Sequence, residues 1–521
     1  MKKKLSELLQ TVPDSQIFGD VTTEVNTVTD DSRKIEKGGL FVAIKGLKVD
    51  AHKFIPEVIK SGAKVVVGED EPEKEWLKKV VYVKVGNSRQ ALALIASQWY
   101  DNPSRKLKVI GVTGTKGKTT VAFLTYWFLK SGGKKTGLVS SINAIIGEKE
   151  FDTGFHVTNP EPMALQKFLS EMVNEGCEYA VLEVTSHGLD QNRVAGVDFE
   201  VAVLTNITHE HLDYHKTYEN YRDAKAKLFK NVKIAVINSD DKSFEYIKSI
   251  IPGYTEVITY ACKNPADYNL QNIKITDSMI FEIVTGLDKL KIETKYLGIY
   301  NALNTAAAFI VARRMGVDDK KLIKAIDKAP QLPGHLEKVE NKKDIEIYID
   351  FAHTPDSLEQ VLTLLKGKTK GKLISVFGCA SERDTLKRPM MGEISAKLAN
   401  VSIFTAEDPR NEDVNNIISE TVKGAKKTKA KEINMKHYSD IVHDSKHIFF
   451  RIAERGEAIT FAINNLAGKG DTVVICGKGH EKSMAYNGVE YPWSDQEAVD
   501  LALKGEVYEI IRSDNKKKVK K

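Results

Sequence analysis

The chain has 521 residues, 42% of them hydrophobic and 28% charged, with a net charge of +6. That length exceeds a single hydrophobic core and predicts about three domains, and the composition is that of a folded globular protein. No basic stripe with interleaved aromatics points to nucleic acid, and no apolar run is long enough to span a membrane.

The N-terminus, Met-Lys-Lys-Lys-Leu-Ser-Glu-Leu-Leu, lacks the long apolar core of a signal peptide. Residues 1–103 form the first predicted domain. Short apolar runs at 39–43, 63–67 and 80–83 alternate with helical periodicity at 54–60 and 89–99, and Asp-Asn-Pro-Ser at 101–104 reads as a linker.

The second predicted domain, 104–333, opens on a strand at 108–112 followed by a glycine-rich turn. Residues 111–120 read Gly-Val-Thr-Gly-Thr-Lys-Gly-Lys-Thr-Thr. Strand, turn and helix N-terminus together aim backbone N–H groups at a phosphate, with Gly114, Thr115, Gly117 and Thr120 in the cradle. Lys118 then reaches the terminal phosphates and the Thr119 hydroxyl can ligate Mg²⁺. Val112 occupies a position where the strict Walker spacing asks for glycine, so this is a variant phosphate loop, and its ligand is ATP. The bland alternative, a surface turn, is disfavoured by the flanking strand and helix patterns.

Further strands at 137–140, 179–184, 201–206 and 233–238 alternate with helices at 119–130, 163–175 and 218–229, the pattern of a mostly parallel sheet. Residues 262–295 read as an antiparallel insertion before a helix at 301–314. Glu183 ends an apolar strand near the phosphate loop, where a carboxylate can hold a nucleotide-bound metal. Four of the twelve histidines, His187, His209, His211 and His215, fall just after it. Zinc is the rival reading of that cluster, but oxygen ligands suit Mg²⁺.

The third predicted domain, 334–521, repeats the alternation, with strands at 345–350, 372–377, 401–405 and 472–476 and helices at 357–365, 389–399 and 457–466. A doubly wound, Rossmann-like sheet binds ligands beyond the carboxyl ends of its strands. Polar clusters at 350–354, 378–384, 407–410 and 477–481 fall there. The fold class is therefore α/β, in three domains. The four cysteines, Cys177, Cys262, Cys379 and Cys476, lie far apart without CxxC pairing, as in a reducing compartment, and the expected location is cytoplasmic.

Eight segments resemble the Mur ligases, in that family's order, between residues 30 and 495. They are Thr-Asp-Asp-Ser-Arg at 29–33, Gly-Leu-Phe-Val-Ala-Ile-Lys-Gly at 39–46, the loop at 114–120, and Glu-Val-Thr-Ser-His-Gly at 183–188. Gln-Asn-Arg-Val at 191–194, His-Leu-Asp-Tyr-His at 211–215, Asp-Phe-Ala-His-Thr-Pro-Asp at 350–356 and Gly-Lys-Gly-His-Glu at 477–481 complete the set. The resemblance is greatest to the branch that adds the third residue of the cell-wall peptide. It implies that ATP phosphorylates the carboxylate of a UDP-linked muramoyl dipeptide, and that an amino acid's amine then displaces phosphate.

On matching positions, the resemblance implies that Ser32 and Arg33 hold the uridine end, and that Thr158, Asn159, Ser186 and Arg193 contact the rest of the UDP-peptide. Asn159 stands where the family has a second threonine. Thr119, Glu183 and His211 would serve two Mg²⁺ sites. Lys225, matching a carbamylated lysine, would serve the second of them, although alone it reads as a helix-surface lysine. Lys118, Glu183, His211 and Lys225 would carry catalysis. Asn301 and Asn304 would contact adenine, and Asp350 and His353 the ribose and phosphates.

For the incoming amino acid, Arg383 and Arg410 are forks for carboxylates, Glu481 can hold an ammonium, and Gly477 shares its motif. Asp408 adds negative charge suited to a distal ammonium, so lysine is expected ahead of meso-diaminopimelate. Two departures stand out. The family's Gly-Arg-Met-Glu reads Gly-His-Leu-Glu at 334–337, and its Gly-Gly-Asp-Arg-Asp reads Ala-Ser-Glu-Arg-Asp at 380–384. They leave open a pseudomurein peptide ligase acting on a related UDP-peptide. Folylpolyglutamate synthetase should lack the 31–33 and 407–410 segments, and an ATP-binding switch would leave Lys225, Arg383 and Glu481 unexplained. A monomer is expected.

Overall fold

The computed structural model describes residues 2–46, 49–151, 153, 158–208, 210–381, 384–440 and 447–512, so His209 and Arg383 lie outside the described residues. The chain divides into two units, residues 1–274 with 279–294 and 299–329, and residues 275–278 with 295–298 and 330–521. Among the described residues, no helix is long and apolar enough to cross a membrane.

The first unit contains two large sheets. Five strands run in the order Gln16–Phe18, Val81–Lys84, Val65–Gly68, Leu40–Val42, Val28–Thr29, antiparallel only at the first pair. The three central strands are almost wholly buried, as a parallel sheet covered on both faces requires. Helix Ser88–Trp99, capped by the Asn87 side chain on Gln90 N–H, packs Ala91, Leu92 and Ile95 into one face. Ile55 and Val58 of Ile55–Lys60 fill the other. The expected linker is a tight 3₁₀ turn, Pro103–Lys106, entered through the left-handed pair Asp101 and Asn102.

Eleven strands form the second sheet. Its parallel centre runs Thr136–Val139, Tyr179–Glu183, Lys108–Thr113, Phe199–Leu204, Ile234–Asn238, Glu256–Ala261. The register pairs Glu183 with Val112 on one side of the phosphate-loop strand, and Leu204 with Thr113 on the other. Strand order alone therefore delivers Glu183 and residues 205–206 to opposite flanks of the turn. The predicted insertion is real, but it extends this same sheet as Tyr268–Ile275, Met279–Thr285 and Asp288–Thr294. Helices Lys118–Ser131 and Ile299–Arg314 pack on each other.

In the second unit a seven-stranded sheet runs Glu337–Val339, Glu346–Asp350, Thr472–Cys476, Leu373–Phe377, Val401–Phe404, Ile448–Arg451, Lys431–Glu432, antiparallel only at the first pair. Because the rest are parallel, the segments following residues 350, 377, 404 and 476 leave from one edge. Several elements are not foreseen, among them a helix and a strand of the sheet. Helix Val414–Lys427 buries Ile417, Ile418, Thr421, Val422 and Ala425 at helical spacing, and strand Ile448–Arg451 is only four residues long.

Candidate functional site

The phosphate loop is built by two glycines in backbone conformations that side chains avoid, Gly114 at φ +151° and Gly117 at φ +82°. Thr115 N–H donates to Asn206 O at 2.7 Å, and the Asn206 side chain both accepts from Lys116 N–H and donates to Lys116 O, each at 3.0 Å. Thr205 Oγ1 donates to the same Lys116 carbonyl at 2.6 Å. The turn is thus braced by the end of the neighbouring strand. A Cβ on Gly117 would lie 2.3 Å from Asn304 Oδ1, and Asn304 Nδ2 donates to Asn301 Oδ1 at 3.0 Å. The paired asparagines therefore sit directly against the loop. Lys118 Nζ folds back onto Thr115 O at 2.8 Å.

Glu183, 2% exposed, has both carboxylate oxygens engaged. Oε1 accepts from Thr119 Oγ1 at 3.1 Å, and Oε2 accepts from Ser141 N–H at 2.9 Å and Ser141 Oγ at 3.0 Å. Ser141 Oγ also meets Thr158 Oγ1 at 2.8 Å. A buried carboxylate joined to hydroxyls is a hard oxygen set that fits Mg²⁺.

Opposite it, Lys225 is 1% exposed, with Nζ donating to Gly114 O at 2.6 Å and lying 4.7 Å from the Tyr221 ring centroid. Burial, and then the Lys118 charge, hold this amine well below the usual lysine range, which eases loss of its proton. Three imidazoles cluster beside it. His187 packs edge-on to His211 at 4.9 Å and lies 5.4 Å from His215. Burial foremost brings His211 and His215 down to about 4, leaving them uncharged at neutral pH. Nε2 of His215 meets Ser186 Oγ at 3.0 Å. A separate His/Asp group, Asp50, His52 and Asp70, has ligand atoms within 4.8 Å of one another, but His52 already uses Nδ1 on Asp50 and Nε2 on Glu69 N–H. It reads as a structural histidine.

Next to Glu183, Asn159 replaces a hydroxyl with an amide that makes more bonds. Its Nδ2 donates to Glu183 O at 2.7 Å, and its Oδ1 accepts from Thr185 N–H and Oγ1 at 2.8 and 2.7 Å. Arg193 donates to Asn159 O at 2.8 Å and pairs with Glu161 at 3.1 Å. Ser32 opens a 3₁₀ turn, but the Arg33 fork is closed on Asp31 at 2.9 Å, which pulls that carboxyl down to about 2. Arg33 thus pairs with its neighbour while its side chain stays 86% exposed.

At the strand-end edge of the second unit, Asp350 accepts from Leu336 N–H at 2.6 Å and Ala352 N–H at 2.8 Å, and His353 Nδ1 meets Phe351 O at 2.9 Å. His335 stacks on His480 at 5.4 Å and 18°. Asp408 Oδ1 binds the buried Lys478 ammonium at 3.1 Å and Ala485 N–H at 3.0 Å. Its charge is offset inside the protein and its side chain is 8% exposed, whereas Glu481, 2.5 Å from the same ammonium, keeps a side chain 21% exposed and is the acid left more open to a substrate ammonium. Arg455 forms a bidentate pair with Asp495, both bonds 2.7 Å, and donates to Cys476 O and Ala406 O, fixing the floor of this edge.

Glu407 is fully enclosed there. Burial raises its carboxyl from 4.5 to about 7, against the pull of Lys387 and Lys478. A carboxyl with a raised folded-state pKa favours folding fully below its unfolded value and loses that contribution as pH rises through about 7. Glu407→Gln is therefore expected to change melting little at pH 4 and to raise stability at pH 8 by up to roughly 3 kcal/mol, read by thermal melts of ligand-free protein. Equal melting temperatures at pH 8 would contradict that burial.

Three family models tile the chain: "Mur ligase family, catalytic domain" over residues 24–100, "Mur ligase middle domain" over 112–312 and "Mur ligase, glutamate ligase domain" over 334–479. A UDP-N-acetylmuramoyl-L-alanyl-D-glutamate–2,6-diaminopimelate ligase of Clostridium acetobutylicum is 37% identical over 508 residues, 96% of this chain and 99% of that protein. The chain belongs to the Mur ligase family. A UDP-N-acetylmuramyl-tripeptide synthetase of Roseiflexus is 36% identical over 516 residues, 96% of this chain and 98% of its own. A solved diaminopimelate ligase structure matches with a TM-score of 0.67 at 30% identity, covering 97% of this chain and 99% of that one.

Within this Mur ligase, the structure gathers Gly114, Thr115, Gly117, Lys118, Thr119, Thr120, Glu183, His211, Lys225, Asn301 and Asn304 in the first unit, and Asp350, His353, Asp408, Arg410, Gly477 and Glu481 on the edge of the second. Sequence reasoning missed several supporting residues. Asn206 was within reach, since it follows a strand beside the loop. Ser141 and Tyr221 carry no local signal, because their roles come from chain segments far apart in sequence, and Lys478, though inside the 477–481 motif, owes its role to Asp408 as well.

Proposed function

We propose that this Mur ligase is an ATP-dependent amide ligase that adds a diamino acid to a UDP-N-acetylmuramoyl dipeptide in peptidoglycan synthesis. The observation that carries the reading is the buried pair flanking the phosphate loop, with Glu183 joined to Thr119 on one side and Lys225 on the Gly114 carbonyl on the other.

ATP sits with its phosphates in the cradle 114–120 and its base near Asn301 and Asn304. Lys118 exchanges its Thr115 carbonyl for a phosphate oxygen and offsets charge as the γ-phosphoryl passes to the dipeptide carboxylate. Thr119 and Glu183 would hold one Mg²⁺, and His211 with a carbamate on Lys225 (from its amine and CO₂, with loss of one proton) would hold a second; bound there, the ions would offset further charge on the phosphoryl group. Thr158, Asn159, Ser186 and Arg193 orient the UDP-peptide, with Ser32 and Arg33 at its uridine end. The amino acid's amine then attacks the acyl phosphate, the amide bond forms, and inorganic phosphate leaves.

Among diamino acids, the reading favours 2,6-diaminopimelate over lysine. Arg410 supplies a cation for a second carboxylate, the Asp408 charge is offset by Lys478, and relatives 35–37% identical are named diaminopimelate ligases. Four free cysteines support a cytoplasmic setting, and the protein is taken to act as a monomer. With Mg²⁺ and ATP, phosphate release is expected only when UDP-muramoyl-dipeptide and diaminopimelate are both present, with ADP and a UDP-tripeptide seen by mass spectrometry. ATP turnover that ignores either partner, or no amide product with any diamino acid, would overturn the reading.

A further inference from the structure

We infer that Lys478 is a positioning residue of the amino-acid site, a buried ammonium that joins the loop carrying Arg410 to the loop carrying Glu481 and so sets the spacing of the groups that receive the incoming amino acid. The inference rests on the function proposed above.

Lys478 has no exposed surface. A buried ammonium is strongly unfavourable unless anions and hydrogen bonds surround it. Here Nζ lies 2.5 Å from Glu481 Oε2 and 3.1 Å from Asp408 Oδ1. Each acid is in turn tied to main chain. Asp408 Oδ1 also accepts from Ala485 N–H at 3.0 Å, and the Asp408 carbonyl accepts from Ser381 N–H at 2.9 Å. Two residues on, Arg410 takes a left-handed φ of +48°, donates its N–H to Ala485 O at 2.9 Å and accepts from Asn487 N–H at 2.5 Å.

Arg410 is thereby pinned to the hairpin of strands Ser483–Tyr486 and Val489–Pro492, the hairpin to Asp408, and Asp408 to Lys478. One ammonium stands at the junction of segments 378–381, 407–410 and 478–487. Three carboxyls, those of Glu407, Asp408 and Glu481, gather around it, with Lys387 as the further cation acting on Glu407. Removing the Lys478 charge leaves Asp408 and Glu481 repelling each other, and the distance from Glu481 to Arg410 is then held only by the main-chain bonds of Arg410 to the hairpin that follows Glu481. A lysine serving only as a buried counter-ion would make a different demand, because it could be dispensed with once the carboxylate beside it was neutralised.

Lys478→Met and the charge-balanced pair Lys478→Met/Asp408→Asn separate these roles in the full chain. KM for diaminopimelate, KM for UDP-muramoyl-dipeptide, KM for ATP and the melting temperature are measured beside the parent protein, whose own turnover tests the function independently. Lys478→Met is expected to raise KM for diaminopimelate about 30-fold or more, with the other two KM values within about twofold. The pair recovers the melting temperature but not KM for diaminopimelate. If Lys478→Met fails to fold, the pair alone carries the test. The inference is overturned if the pair returns that KM to the parent value, if it never changes, or if all three KM values rise together.

Discussion

Lys225→Ala is expected to lower kcat for ligation by about a thousandfold or more, with added bicarbonate giving no recovery. The amine is sealed between the Gly114 carbonyl and the Tyr221 ring and is 1% exposed. No solvent ion replaces it without displacing the loop. Its depressed pKa also makes a prediction about stability. With the folded-state value well below 10.5, the unfolded chain binds the proton more readily, so at pH 7 this lysine opposes folding and its penalty shrinks as pH rises towards 10.5. Lys225→Met in bicarbonate-free and metal-free protein should therefore melt higher than the parent at pH 7 while remaining inactive. A structural lysine would show the reverse. ¹³C-bicarbonate gives a second readout, a carbamate carbonyl resonance in the parent that is lost in the variant. Full ligation by Lys225→Ala would refute the role.

That lysine also shows where sequence stops being informative. The phosphate loop was legible because strand, glycines, lysine and threonine are contiguous, and each residue's task follows from its neighbours. Glu183 was legible because a carboxylate ends an apolar strand. Lys225 looks like the exposed Lys227 two residues away, and only the packing of helix Tyr218–Ala226 against Gly114, over a hundred residues earlier, tells them apart. The same limit governs charge. The resemblance implies a substrate contact for Arg33 and residue type suggests one for Asp408, and neither shows that the fold pairs the first with Asp31 and the second with Lys478. Strand order was legible in kind but not in extent. The segment at 262–295 reads as an antiparallel insertion before a helix, and hydrogen bonding makes it the edge of the central sheet.

Gly114→Ala is expected to abolish ATP-dependent phosphate release, a loss of about a hundredfold or more, and to destabilise the first unit by roughly 2–4 kcal/mol. Two independent obstacles meet at this position. Its φ of +151° is a conformation that L side chains rarely adopt. A Cβ built there would also lie 1.9 Å from Thr205 Oγ1 and 3.0 Å from Asn206 O. Rotating Thr205 gives no cheap relief, because its hydroxyl is the donor that holds the Lys116 carbonyl at 2.6 Å. Moving Asn206 instead breaks the bond from Thr115 N–H and both side-chain bonds to Lys116. Either adjustment turns backbone N–H groups of the cradle away from the phosphates. The Gly114 carbonyl, which receives the Lys225 amine, shifts with them. Thr205→Ala separates the two obstacles, since it removes the oxygen a new Cβ would strike and leaves the backbone requirement intact. Gly114→Ala/Thr205→Ala should therefore regain part of the lost melting temperature and still bind ATP weakly by titration calorimetry. Recovery of parental ATP affinity in that pair would mean that steric contact alone, and not loop conformation, requires glycine at residue 114.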